Sequence, residues 1–558
     1  MKTLTGLDAT FLYLETPEMP MHVGSLNLCE LPAGFKGGFH KAVQQHIASR
    51  MHLAPVFSRK LVFMPFDLGH PMWVEAESVD VDFHIRRVSC SAKKPMSLAQ
   101  AHTLVAGLHS ELIDRAHPLW EFYVFDAIKL PTGKLVGGFF SKIHHAALDG
   151  QGAVMLANAM LDVGPVPRAM PPPDPARRGE TAADLKISEM IGSVFSNSLA
   201  QVTKLAKALP SVASTLGGLA KQSLQGNGGR PKMPMKLAPK SPFNTAVTQD
   251  RVFAAATVPL AECKAMGKAV GGSFNDVALW ICSTALRRYL ADHGGVPARS
   301  MVAAMPVSLR EAGASDAANL GNQVSMSLVE LGTHIANPLK RMNAIMASTA
   351  RVKTSMQTLK GLLPTDYPSL LAPWLVGGAA KAAFNAYGKS GLASRLPMLA
   401  NLAISNVPGT PVPLYLAGAK ILSFHPLSIV LHGLALNITI QTYAGQVDFG
   451  IIAGKQALPD AQQLASAIEE AFKQAQVLMG APAAPAAAAT PVKTPGQAVT
   501  HETALGKSPS AKRATRPKIS EVRNTTKTSN ASNHGTIRTP AVSKKTKSTT
   551  RTARRTSA

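Results

Sequence analysis

Four cysteines in 558 residues, Cys29, Cys90, Cys263 and Cys282, are too few and too scattered for a disulfide framework, and none stands in the Cys-x-x-Cys spacing of a zinc site. Long apolar runs are missing too. A spanning helix needs about 18 uncharged apolar residues, and the nearest approach, residues 370–384, is broken by Pro373 and Lys381. The opening MKTLTGLDATFLYLETPEMP carries Asp8, Glu15 and Glu18 where a secretory signal requires an unbroken apolar stretch. There is no Gly-rich phosphate loop or dinucleotide fingerprint, so neither ATP nor NAD is implied. No His/Cys/Asp/Glu cluster has metal spacing, and no Gly-x-Ser-x-Gly element signals a serine hydrolase. These absences lead us to expect a cytoplasmic chain that rests on a membrane or lipid surface without crossing it.

Acidic residues are scarce as well, 33 against 58 Lys+Arg, for a net charge of +25. Residues 481–558 hold 15 Lys or Arg and 2 Glu, so +13 lies in the tail and +12 on the rest. A basic body suits contact with phosphorylated molecules or anionic membrane. The length exceeds what one hydrophobic core covers, so more than one domain is expected. Residues 1–165 alternate short strands and helices, a mixed α/β (α+β) pattern. PVPRAMPPPDPARRGE opens a linker over 166–245. Within it, Ile187, Met190, Ile191, Val194, Phe195, Val202, Leu205 and Leu209 make a helical apolar stripe. That stripe suits a helix packed across a domain junction or, flanked by lysines, one lying on a membrane surface. Alternation resumes over 246–479. From 480 to 558 Ala, Thr, Ser, Lys and Arg dominate, a composition that cannot bury enough apolar surface to fold, so this tail is expected to be disordered. Its basic blocks KRATRPK and SKKTKSTTRTARR suit nonspecific binding to anionic lipid or nucleic acid.

KIHHAALDGQGAV, residues 142–154, concentrates the chemistry. Leu135, Val136, Phe139, Phe140 and Ile143 before it suit a buried strand, and Val154, Met155, Met160 and Leu161 after it suit the inward face of a helix. His144 and His145 therefore stand where a strand stops, and only one of them can face a given cleft. An imidazole titrating near neutrality can take a proton from a hydroxyl as that oxygen attacks a carbonyl. Asp149 can lock the local turn or hold the ring, and Gly150 lets the chain turn without a Cβ clash.

HHAALDG resembles the HHxxxDG signature of the acyl-CoA-dependent acyltransferase superfamily, which includes chloramphenicol acetyltransferase and peptide-synthetase condensation domains. Further stretches narrow the resemblance to the bacterial wax ester synthase/diacylglycerol acyltransferase family. These are LDATFLYLETPEMPMHVGSL with Asp8, Phe11 and Met21-His22-Val23-Gly24, then HPLWEFYVFDAI with Pro118, Leu119 and Trp120, and GGSFNDVALW with Asn275 and Asp276. MPVSLR, NLGNQVS and SNVPGTPVPLYLAGAKI follow in the family's order, over about residues 3–478.

The resemblance implies two chloramphenicol-acetyltransferase-like domains, 1–165 and 246–479, joined by a helical linker, with the site in a channel between them. It implies O-acyl transfer from acyl-CoA, as co-substrate with no further cofactor and no metal, to diacylglycerol or a long-chain alcohol. His145 would be the general base and His144 its support. Asp149, paired to an arginine, would shape the site. Asn275 would donate to the oxyanion or cap its own helix, and Asp276 would be structural. Pro118, Leu119 and Trp120 would pack beside the catalytic strand, with Trp120 alternatively lining the acyl path. Two rival readings are a same-fold enzyme acting on an amine or another alcohol, and a lipid-body or polyanion-binding protein with an inert core.

Overall fold

The computed structural model describes residues 2–35, 37–64, 70–148, 150–172, 237–308, 324–359, 386, 390 and 398–480. Outside the described residues lie Asp149, the stripe of 187–209, Arg310, residues 319–323 of NLGNQVS, the apolar run 370–384 and the tail from 481.

The strand Trp120–Lys129, WEFYVFDAIK, is a run of aromatic and branched side chains buried on both faces. Phe122 and Val124 point into one apolar cluster with Phe39 and Val43 of the helix Phe39–Ala48. Tyr123 and Phe125 point into another, with Ala101 and Val105 of the helix Leu98–Ser110. This strand is central to a sheet whose order is Tyr415–Leu416, Ala419–Leu427, His22–Glu30, Leu135–His144, Trp120–Lys129, Ile85–Val88, with Met96–Ser97 also on Trp120–Lys129. A second sheet runs Val324–Glu330, Val302–Ser308, Leu402–Val407, Leu436–Tyr443, Gln446–Gly454, Arg251–Pro259. A small third sheet joins Lys2–Thr3, Met72–Glu75 and Arg59–Val62. On the second sheet the helix Ala461–Met479 buries Leu464, Ala465, Ile468, Ala471, Phe472 and Ala475, one stripe at helical spacing.

The two large sheets share chain. Ala419–Leu427 comes from the C-terminal half yet pairs antiparallel with His22–Glu30, Leu427 opposite Gly24. It also lies on the second sheet. Phe424 N–H donates to Asp448 Oδ2 (2.9 Å), and a Cβ on Gly450 would stand 1.8 Å from the Pro426 carbonyl oxygen. Glycine at 450 is what lets the backbones approach so closely. The described residues up to Gly480 accordingly fall in one compact unit.

Two side-chain expectations are corrected. Val154 and Met155 point outward, 60% and 43% exposed, because the helix Gly150–Met160 buries Leu156, Ala159 and Met160 on its other side. Leu135, at the mouth of its strand, is exposed rather than buried.

Candidate active site

Leu135–His144 pairs with His22–Glu30 on one side and Trp120–Lys129 on the other, which sets His144 opposite His22. The ladder closes with His144 N–H donating to the Leu119 carbonyl (3.0 Å). The chain then tightens into a 3₁₀ turn, His145–Ala147. His144 caps that turn: its Nδ1 accepts from Ala146 N–H (3.1 Å), so its proton sits on Nε2. His145 N–H donates to the Met21 carbonyl (2.8 Å). The helix Gly150–Met160 follows, with Gly150 as its first residue.

The His145 ring is half-buried and stacks on Phe11, centroids 4.0 Å apart and planes 13° off parallel. No side chain hydrogen-bonds to it among the described residues, and its Nδ1 is enclosed without a partner. Burial pushes its pKa down to about 4; the residue's own carbonyl opposes this and the charge of His144 adds to it. The ring is therefore neutral at physiological pH.

Glu15 lies beneath the pair. One carboxylate oxygen, Oε1, is 3.3 Å from His144 Nε2 and 3.4 Å from His22 Nε2, and it accepts from Met21 N–H (3.0 Å). The other, Oε2, accepts from Arg115 Nη2 (2.8 Å). Burial alone would raise the Glu15 pKa, but the two histidines hold it far below the usual carboxylate range. His22 and His109 brace each other, each ring donating to the other's main-chain carbonyl (3.2 and 3.1 Å). Burial pushes both histidines down, His109 the further.

One layer deeper, Lys142 is fully buried. Its ammonium pairs with Glu121 Oε2 (2.8 Å) and donates to the carbonyls of Leu108 and Glu111 (both 3.0 Å). It thereby caps the negative end of the helix Leu98–Ser110. Tyr123 OH donates to the same Glu121 oxygen (2.7 Å).

The remaining predicted residues divide between packing and the helix Phe274–Asp292. Pro118, Leu119 and Trp120 are buried; Trp120 Nε1 donates to the Phe57 carbonyl (3.1 Å) and its ring packs on His84 and Phe122. Asn275 does not cap its helix. Ser273 does, in a capping box with Asp276, whose Oδ1 also accepts from Thr349 (2.7 Å). Asn275 lies in the first turn of Phe274–Asp292, and its Oδ1 accepts from Asn406 Nδ2 (3.2 Å). It is bonded to the SNVPG strand, not to the histidines.

A cavity of about 240 Å³ lies behind the histidine turn, lined by Ala146, Ala147, Met155, Asp8, Arg59 and Trp73 among others. Among the described residues, no three His, Cys, Asp or Glu side chains gather as a metal site requires. Glu15, His109 and Lys142 have no place in the motif reading. Their only sequence signal is a charged or polar residue at a position where its strand or helix end is otherwise apolar.

Comparison with known proteins fits this arrangement. Residues 4–278 match the wax ester synthase/diacylglycerol acyltransferase catalytic domain, and residues 320–476 match the C-terminal domain of the same family. A Mycobacterium tuberculosis protein provisionally named a diacylglycerol O-acyltransferase is 33% identical over 488 residues, 86% of this chain and 100% of the relative. A second from that organism, named a probable diacylglycerol O-acyltransferase, is 32% identical over 488 residues, covering 85% and 98%. The solved wax ester synthase/diacylglycerol acyltransferase of Marinobacter aquaeolei VT8 is 26% identical with a TM-score of 0.59, over 86% of this chain and 100% of its own. The chain thus belongs to the wax ester synthase/diacylglycerol acyltransferase family and is an acyl-CoA acyltransferase.

Proposed function

We propose that this acyltransferase moves the acyl group of acyl-CoA onto the hydroxyl of diacylglycerol or of a long-chain alcohol, with His145 as general base. The acceptor class rests on full-length similarity to proteins named diacylglycerol O-acyltransferases. The role of His145 rests on one observation. Of the two motif histidines, His144 is buried, its Nδ1 accepting from Ala146 N–H and its Nε2 facing Glu15 Oε1 at 3.3 Å, whereas the half-buried neutral ring of His145 stacks on Phe11 and has no side-chain hydrogen bond among the described residues.

In the reaction, His145 takes the hydroxyl proton while the oxygen attacks the thioester carbonyl. The tetrahedral oxyanion then collapses, the C–S bond breaks, and the proton passes to the departing CoA sulfur. A base so placed contributes about 10²–10⁴ in rate. We assign stabilisation of the oxyanion to Asn275. Its carbonyl is occupied by Asn406, which leaves its amide N–H₂ to donate, at the positive end of a helix.

Access for a lipid acceptor is supported by the exposed Val154 and Met155 beside the cavity that Met155 helps to line. We place the chain peripherally on the inner membrane or on lipid bodies, where a lipid acceptor lies and where its net charge of +25 meets anionic surface; no described helix is long and apolar enough to cross a membrane. The test offers radiolabelled palmitoyl-CoA to the purified chain with hexadecanol, dipalmitoylglycerol and a long-chain amine in competition. Labelled ester with stoichiometric free CoA is expected. Amide without ester would overturn the assignment.

A further inference from the structure

We propose that Glu15 is a positioning residue for His145, anchoring the two peptide groups that aim its ring. The inference rests on the reading of His145 as the base and extends it to a residue outside the HHxxxDG motif.

Two routes run from the backbone around His145 to one carboxylate, the first hydrogen-bonded throughout and the second closing on an ion-pair contact. On the first, His145 N–H donates to the Met21 carbonyl (2.8 Å), and Met21 N–H donates to Glu15 Oε1 (3.0 Å). On the second, Ala146 N–H donates to His144 Nδ1 (3.1 Å), which leaves the proton of that ring on Nε2, 3.3 Å from the same Oε1. The N–H on either side of the His145 carbonyl thus ends, one group further on, at Glu15. The ring itself is stacked on Phe11, from the helix Gly6–Leu14 that Glu15 terminates as C-cap. One short helix and its cap therefore hold both the ring and the backbone that carries it.

Glu15 is fixed in turn. It is 3% exposed, Arg115 grips its second oxygen and also donates to the Leu12 carbonyl (3.0 Å), and His22 closes the remaining side. A buried carboxylate with this many partners has little freedom, as a second layer must if it is to hold a reacting group. A core needing only to be filled would use an apolar side chain here at lower desolvation cost.

The experiment compares full-length wild type with Glu15→Gln, Glu15→Asp, His145→Ala and Glu15→Gln/His145→Ala. It measures kcat and KM for acyl-CoA from pH 6 to 9, with the folded fraction taken from thermal melts. Displacing a catalytic group by about 1 Å can cost about 10² in rate. Glu15→Gln is expected to lower kcat by about 10- to 100-fold at unchanged folded fraction, with KM within about 2-fold and by the same factor at every pH. Glu15→Asp keeps the charge and is expected to fall between Gln and wild type. The double variant should be no slower than His145→Ala alone, since the two act through one group. Wild-type kcat in well-folded Glu15→Gln, a deficit that vanishes at high pH, or an additive double variant would each overturn the positioning role. If Glu15→Gln does not fold, Glu15→Asp with kcat per folded molecule equal to wild type would do the same. Full activity in His145→Ala would instead overturn the base assignment itself.

Discussion

In the first sheet, the ends of the strands His22–Glu30, Leu135–His144 and Trp120–Lys129 hold His22, His144, Lys142 and Glu121, each no more than 4% exposed, with Glu15 at 3% beside them. In the second sheet, Leu436–Tyr443 and Gln446–Gly454 are filled by Ile438, Ile440, Phe449, Ile451 and Ile452. The buried polar groups of those two strands are Asn437, Thr439 and Asp448. Asn437 donates to a main-chain carbonyl, and Asp448 accepts from Thr257 Oγ1 (2.6 Å) and Phe424 N–H. Buried charge costs several kcal/mol unless every group finds a partner. Its concentration in the first sheet shows where side chains are held in fixed relation. In the second sheet the buried charged side chains among the described residues are Arg251 and Asp448, and Asn406 donates to Asn275 on the helix Phe274–Asp292.

The contrast can be broken most severely at Lys142. Lys142→Met leaves buried Glu121 with only the longer cation contact, to Arg86 (3.5 Å), and should cost about 3–5 kcal/mol in denaturant unfolding. Ile440→Val, an equally buried site in the second sheet, should cost only about 0.5–1.5 kcal/mol. Equal costs would erase the distinction. Next, Asn275→Ala should lower kcat by about 10²–10³ with little change in melting. Ser273→Ala, two residues before it, should do the reverse, costing about 0.5–2 kcal/mol of stability while kcat holds. If both variants lose only stability, Asn275 is scaffold like its surroundings.

A smaller effect is expected from acid. Burial holds His102 and His145 at about 4 and His425 at about 3, while Asp448 is pushed up to about 6. Below the ordinary histidine value of 6.5 the unfolded chain binds protons that these three folded histidines refuse, so each contributes stability that falls from pH 6.5 toward 4. Asp448 has the opposite sign, its folded form taking a proton first between about 6 and 3.8. Three sites outweigh one, so the melting temperature at pH 5 should lie below that at pH 7.5; a rise would contradict these burials. The smallest effect is expected from the tail. Truncation after Gly480 should leave turnover intact while weakening binding to anionic vesicles at low salt. Loss of turnover would show that the tail takes part in catalysis.

Much of this was legible in the sequence, for identifiable reasons. The strand into His144 and the helix after it announce themselves by apolar periodicity, and HHAALDG marks the turn between them. Trp120 packs as its apolar neighbours suggest. What escaped depends on register between distant segments. Nothing local says that Glu15 meets His144, since helix cap and strand end come together through the pairing of His22 with His144 and the bond of His145 N–H to the Met21 carbonyl, across more than 100 residues of chain. The transfer of Ala419–Leu427 into the first sheet is equally nonlocal. Val154 and Met155 misled because an apolar residue on a short helix reads as core until its phase is known. Asn275 misled because Ser273, two residues earlier, is as good a cap.

The most direct test compares initial rates of triacylglycerol formation from palmitoyl-CoA and dipalmitoylglycerol in His145→Ala and His144→Ala, each corrected for folded protein. The account predicts a loss of about 10²–10⁴ for His145→Ala and a smaller loss for His144→Ala. Near-wild-type rates in both, or the greater loss in His144→Ala, would contradict the assignment of His145 as the base.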